Sequence, residues 1–155
     1  MNLMYDNYYG KEIIGLGLEG EVITMLNLAM TDINHFAKKS IAKDINPYPF
    51  NLEDFKHNRL NEHYFLVFDG KKIVSILSVV YALEHHLKIA KIFNVYTLPE
   101  YRHKGLAKRN LIAAIVSARS NGYIVQLNVY RSNKAAQRLY KSLKFKPVEY
   151  TLQLG

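Results

Sequence analysis

From Glu19 to about Ser40 the apolar residues Val22, Met25, Leu26, Ala29, Ile33, Phe36 and Ala37 recur at helical spacing. Glu19 and Glu21 fall in the first turn of that segment and Lys38 and Lys39 in the last, the arrangement a helix dipole favours. The pattern predicts an amphipathic helix. Asn46-Pro47-Tyr48-Pro49 interrupts it, and Asn51 is positioned to cap a short helix through Glu53, Phe55 and Leu60. Upstream, the Tyr-rich start and the glycine-rich run from Lys11 to Gly17 together read as one strand.

The period then shortens. His63 to Phe68 is rich in aromatic and branched residues, Asp69-Gly70 is a hairpin signal, and Lys72 to about Glu84 follows as the antiparallel partner. Glu84-His85-His86 makes the next turn, and Leu87 to Thr97 returns as a third strand that ends before Pro99. Helical spacing resumes at Ala107, Leu111, Ala114, Ile115 and Ala118, a helix over 105–120 stopped by Asn121-Gly122. Tyr123 to Tyr130 reads as a strand, so a strand, helix, strand crossover sets it parallel to its neighbour. Asn133 caps a last helix through Leu143, with Ala136, Leu139, Tyr140 and Leu143 on one stripe, and Phe145 to Leu154 reads as a final strand. This order specifies an α/β (α+β) fold: a mixed, mostly antiparallel twisted sheet with helices on both faces.

At 155 residues the chain reads as a single domain, 1–155, with a substantial core. Its most apolar stretch, Ile73 to Leu83, contains Ser75 and Ser78 and falls short of the ~20 residues a membrane helix needs, so no membrane segment is expected. The start of the chain lacks the basic-then-apolar pattern of a secretory signal, which makes the cytoplasm the expected location. With no cysteine, disulfide scaffolds, Cys-ligated zinc and a cysteine acyl-enzyme are excluded. Net charge is +8, unevenly placed: residues 1–99 carry 10 Lys and Arg against 11 Asp and Glu, and residues 100–155 carry 11 against 2. Basic charge gathered around one loop suits a polyanionic ligand, and spread over a face it suits nucleic acid.

That loop is Arg102-His103-Lys104-Gly105-Leu106-Ala107, between a strand and a helix, where small residues let backbone N–H groups approach an anion. Most glycines before helices are turn or cap residues, so the spacing matters more. Arg, two residues, Gly, one residue, Ala resembles the pyrophosphate-binding signature of the GNAT N-acetyltransferase superfamily, with Pro99-Glu100-Tyr101 as the usual lead-in. A second stretch, Asn133 to Phe145, is similar to that family's later motif, with Asn133, Ala136, Leu139-Tyr140 and Phe145 at the expected spacing. Lys144 stands where the family has glycine.

The resemblance implies the GNAT fold, acceptor-side helices over about 19–60, and an acetyl-CoA-binding core over about 87–145. It further implies that the strand ending at Thr97 and the one starting at Tyr123 splay apart to admit the pantetheine arm. Main-chain groups of Val95, Tyr96 and Thr97 would hold that arm, and His103, Lys104, Gly105, Leu106, Ala107 and Lys108 would supply N–H groups to the pyrophosphate. Arg102, Lys104, Lys108 and Arg109 can each neutralise phosphate charge, although at least one must be plain surface. Tyr140 matches the family tyrosine that protonates the leaving thiolate, and it also reads as a core residue on its stripe. Asn133 is a helix cap that in the family also contacts the cofactor.

An ammonium of pKa about 10 is neutral only ~0.1% of the time at pH 7, so a base or water relay is expected. Many superfamily members place a glutamate on the strand entering the loop, but here that strand reads Ile92-Phe93-Asn94-Val95-Tyr96. Candidates for the base are Glu84, His85 and His86 at the preceding turn, Glu84 first among them, though a polar turn also reads as solvated surface. Two adjacent histidines without a third ligand make a poor metal site, and no metal is expected. The leading reading is an N-acetyltransferase that passes acetyl from acetyl-CoA directly to a primary amine, with dimerisation a common family habit. A noncatalytic acyl-CoA-binding module is the alternative. A basic nucleic-acid-binding protein ranks last, since no RNA- or DNA-binding signature accompanies the charge.

Overall fold

The computed structural model describes residues 1–43, 45 and 49–155. Five strands, β1 (Leu3–Tyr9), β2 (His63–Asp69), β3 (Lys72–Glu84), β4 (Leu87–Thr97) and β5 (Ile124–Leu127), form one sheet in that order. The junctions β1–β2, β2–β3 and β3–β4 are antiparallel and β4–β5 is parallel, which gives the mixed sheet expected from the order of elements. On one face lie α1 (Gly10–Gly15), α2 (Glu19–Ile41) and α3 (Leu52–Asn58), and on the other α4 (Leu106–Ser120) and α5 (Lys134–Ser142).

β2 shows why its run lacks alternation. Tyr64, Leu66 and Phe68 pack with Ile13, Val22, Met25, Leu26 and Phe55, while Phe65 packs oppositely with Leu111, Ala114 and Ala118. A strand covered on both faces needs apolar residues at every position. The Asn51 cap forms as expected, its Oδ1 accepting from Asp54 N–H at 2.8 Å. Asn27 then ties the return to α2, accepting from Phe50 N–H at 2.7 Å and donating to Phe50 O at 3.0 Å. Residues Asn46-Pro47-Tyr48, expected to break α2, lie outside the described residues. Among the described residues no helix is long and apolar enough to cross a membrane.

Three expectations are corrected. The start is a strand followed by a helix, not one strand. Gly10 begins α1 because its backbone touches the chain entering β2: a Cβ there would lie 2.0 Å from Arg59 O. The strand expected over Tyr123 to Tyr130 is confined to Ile124–Leu127. Phe145 to Leu154 forms no strand, since a strand is defined by a partner and this segment pairs with none among the described residues.

The end of α5 explains the departure at Lys144. Lys144 has φ 73°, Lys144 N–H donates to Lys141 O at 3.0 Å and Phe145 N–H to Tyr140 O at 3.1 Å. These are the two bonds of a Schellman motif, completed by the Tyr140 and Phe145 rings at 6.0 Å. Lysine therefore occupies a left-handed position that glycine adopts at no steric cost. Lys144→Gly is expected to stabilise the protein by about 1 kcal/mol, read as a Tm rise of roughly 2–4 °C.

His63 opens β2, buried, with Nδ1 2.6 Å from the Tyr81 hydroxyl, Nε2 2.8 Å from Asn7 Oδ1 and its ring stacked on Tyr9. Burial holds its pKa below the ordinary histidine value. The unfolded chain then binds a proton near pH 6.5 that the native chain resists, so stability is full above that pH and falls as pH drops below it. Melting curves between pH 7.5 and 5 should show this fall in the native chain and a shallower one in His63→Gln.

Candidate active site

The parallel pairing of β4 with β5 covers Ile89–Ile92 against Ile124–Leu127 and then stops. β4 continues along β3 as far as Thr97, so from Phe93 onward its other edge has no strand partner among the described residues. A bulge marks the start of this opening: Ile76 faces Tyr96 and Ser78 faces Phe93, leaving Asn94 and Val95 opposite Leu77. Asn94 has φ 57°, a conformation asparagine tolerates. Its Nδ2 donates to Ser78 Oγ at 3.1 Å, and Ser75 Oγ lies 2.8 Å from Thr97 Oγ1 and donates to Tyr96 O at 3.2 Å. Ser75 and Ser78 are buried. They hold the last residues of β4 in place while its free backbone groups face the gap.

β4 leads through a 3-10 turn, Pro99–Tyr101, into the basic loop. The Tyr101 hydroxyl donates to Asp69 Oδ2 at 2.6 Å, which anchors the turn to the β2–β3 hairpin. His103 (φ 61°) and Gly105 (φ 78°) are both left-handed, a backbone of the kind that can turn nearby N–H groups toward an anion. Gly105 caps α4 without any side-chain hydrogen bond, and the first helical bond runs from Arg109 N–H to Gly105 O at 3.0 Å. The N–H groups of Leu106, Ala107 and Lys108 therefore have no carbonyl behind them in the helix. No acidic side chain occupies that first turn. Leu106 plugs the loop from below against Val67 and Val74, and buried Asn110 Nδ2 donates to Phe65 O at 2.9 Å, so the row is mounted on the core.

The four cations divide. Arg102 Nε donates to Thr97 O at 2.9 Å and its guanidinium sits 5.3 Å from the Tyr96 ring centroid, which ties the loop back to β4. Arg109 stacks on Tyr5 at 4.3 Å. Lys104 and Lys108 are exposed at the rim. Such a row of donors under positive charge is suited to a diphosphate.

Tyr140 is buried in the cluster that holds Ile92 and, at its margin, Val95 and Leu127, residues on both sides of the opening. Burial pushes its phenol up to about 12, so it keeps its proton at neutral pH. Asn133 Oδ1 accepts from Ala136 N–H at 3.1 Å, committing that side chain to capping α5. Gln137 Nε2 reaches Tyr130 O, Arg131 O and Asn133 O, and Ser132 Oγ donates to Phe36 O at 2.8 Å, fixing the β5–α5 loop against α2.

Glu84 is not brought to the opening. It sits at the β3–β4 turn, opposite Leu87 and 2.8 Å from Lys91 Nζ, and Leu87 is about 23 Å along the strand from Asn94 at roughly 3.3 Å per residue. His85 (φ 50°) and His86 (φ 68°) are the two left-handed residues of that tight turn. Their place in the fold is thus conformational. The sequence also left Ser75, Ser78, Asn94 and Asn110 unremarked as parts of the site. Two signals pointed to them: Asn94 interrupts a branched and aromatic run, and Asn110 lies on the apolar face of α4.

The Acetyltransferase (GNAT) family matches residues 26–145. Among solved structures, an aminoglycoside acetyltransferase from an uncultured soil metagenomic sample, in complex with sisomicin, aligns at TM-score 0.63 and 14% identity, covering 99% of this chain and 97% of that one. A predicted acetyltransferase of Clostridium acetobutylicum with acetyl-CoA aligns at TM-score 0.68 and 17% identity, covering 99% and 96%. A mutant form of a Bacillus halodurans protein aligns at TM-score 0.73 and 16% identity, covering 98% of each chain. At these identities the likeness is one of fold. No curated protein matches this chain in sequence. The opening beside β4, the anion-ready loop and the family match over most of the chain agree: this protein belongs to the GNAT family of acetyltransferases.

Proposed function

We propose that the protein transfers acetyl from acetyl-CoA directly to a primary amine, with both substrates bound together. The carrying observation is that the free edge of β4 runs straight into a row of unpartnered N–H groups at α4, with Tyr140 in the cluster that borders the gap. On this reading the His103 to Lys108 backbone holds the pyrophosphate, and the main-chain groups of Val95, Tyr96 and Thr97 other than Tyr96 O and Thr97 O, which Ser75 and Arg102 already engage, pair with the amide-rich arm and polarise the thioester carbonyl. The amine nitrogen bonds to the carbonyl carbon, the C–S bond breaks, and the leaving sulfur is stabilised by a hydrogen bond from Tyr140 and departs as a thiolate that is protonated from solvent. With no carboxylate on β4 and Glu84 at the far turn, the amine's own proton passes to water in the opening.

Two aminoglycoside acetyltransferases among the structural neighbours make polyamino sugars a sensible first acceptor class. On this reading α1, α2 and α3 wall the acceptor side. The test is acetyl-dependent release of CoA across a panel of aminoglycosides, polyamines and peptide amino termini. Turnover with one class supports the proposal. Tight acetyl-CoA binding with no turnover on any amine would favour the noncatalytic binder instead.

A further inference from the structure

α5 turns its apolar stripe, Ala136, Leu139, Tyr140 and Leu143, to the core, and its other face carries Lys134, Arg138 and Lys141. Those three recur at i, i+4 and i+7, so they stand in one row about 10 Å long at roughly 1.5 Å of rise per residue. Arg131 precedes the helix, Lys144 and Lys146 follow it, and all six side chains are exposed. The turn before α5 is bonded to the end of α2: Ser132 Oγ donates to Phe36 O at 2.8 Å and accepts from the Ser40 hydroxyl at 2.8 Å. That contact sets exposed Lys39 and Lys43 on the Arg131 side of α5. Two basic segments far apart in sequence thus meet on one face.

None of these cations forms an ion pair among the described residues, whereas Arg59, Lys72 and Lys91 elsewhere each meet a carboxylate. Glu149 is the one acid from Arg131 to Gly155. Lys134 sits in the first turn of α5, where the helix dipole disfavours a cation, and it repels Arg138 at i, i+4. A bound polyanion removes both conflicts. From Tyr130 to Lys146 no large apolar side chain is exposed. A protein partner is held around an apolar centre, but a sugar-phosphate backbone is held by charge alone, with no base-reading motif required. We propose that this α2–α5 face binds the phosphate backbone of nucleic acid independently of its sequence, as a surface separate from the Gly105 loop. This does not depend on the acetyl-transfer reading.

Fluorescence anisotropy with labelled oligonucleotides of unrelated sequence, single-stranded and duplex, between about 50 and 200 mM salt tests the proposal. The native chain should bind all of them with a Kd on the order of 10 μM near 0.1 M salt, log K falling linearly with log salt. Replacing three cations of the face, by Lys134→Gln with Arg138→Gln and Lys141→Gln, should weaken binding at least ~30-fold and flatten the duplex salt slope by about 2 to 3. Lys56→Gln with Lys71→Gln and Arg119→Gln removes the same charge from exposed positions elsewhere and should change the Kd by less than about threefold. All six positions are exposed, so both variants should melt within a few degrees of the native chain. Saturating acetyl-CoA should leave oligonucleotide binding in place. Four results would overturn the proposal: no saturable binding at the lowest salt, equal losses in the two triple variants, displacement of the oligonucleotide by acetyl-CoA, or equally tight binding of poly-glutamate. The third would put the oligonucleotide on the Gly105 loop, and the last would give the face to an acidic polypeptide.

Discussion

Gly105→Asp is expected to weaken acetyl-CoA binding roughly 100-fold while leaving the fold intact. The position is left-handed at φ 78°, and an added Cβ meets no atom within 4 Å, so the cost is conformational and not steric. That cost is about 1 kcal/mol, and it encourages the loop to relax so that its N–H groups no longer converge. A carboxylate at the cap would compete with phosphate for the same N–H groups and the helix dipole, a further ~2 kcal/mol. Together these amount to about 3 kcal/mol, or two orders of magnitude in Kd. Gly105→Ala separates the terms, since it keeps the strain without the charge and should lose only a few-fold. Titration calorimetry on the three proteins reads both effects, and an unchanged Kd in Gly105→Asp would move the pyrophosphate off this loop.

Tyr140→Phe should lower kcat roughly 100-fold with acetyl-CoA affinity kept within about twofold. Burial raises the phenol to about 12. Against a thiol near 8.5, complete proton transfer from such a phenol runs uphill by about 3.5 units, or roughly 5 kcal/mol. On the proposed function Tyr140 then acts as a hydrogen-bond donor to sulfur as negative charge develops there and keeps its own proton, the released thiolate being protonated from solvent. Removing one such donor from a low-dielectric site typically costs about 10²–10³ in kcat. The ring stays packed on Phe145 in the variant, so stability should hardly change. Steady-state kinetics with a competent amine gives the answer, and unchanged kcat would leave Tyr140 as a packing residue of α5.

The features legible in the sequence are those set by local chemistry. α2 is marked by its apolar period and its charged ends, the β2–β3 turn by Asp69-Gly70, and the basic loop by residues that lie together in the chain. What was hidden depends on distant partners. α1 begins at a glycine required by Arg59, far away in sequence, and glycine content alone suggested irregularity. The bulge at Asn94 is visible only once β3 is laid beside β4. Glu84 is close to the loop in sequence terms, yet an eleven-residue β4 separates the two by most of the sheet. Alternation in residues 145–154 signals strand-forming side chains, but a pattern cannot say where the pairing edge lies.

The most direct test of the central claim is the Tm of the full chain with and without acetyl-CoA, with dephospho- and desulfo-analogues beside it. At about 100 times its Kd the ligand should add roughly 2.7 kcal/mol, a rise of about 5–10 °C for a chain of this size. The desulfo-analogue should reproduce most of that rise, because it keeps the pyrophosphate. No shift at millimolar acetyl-CoA would contradict the claim that the β4 opening and the Gly105 loop together form a coenzyme A site.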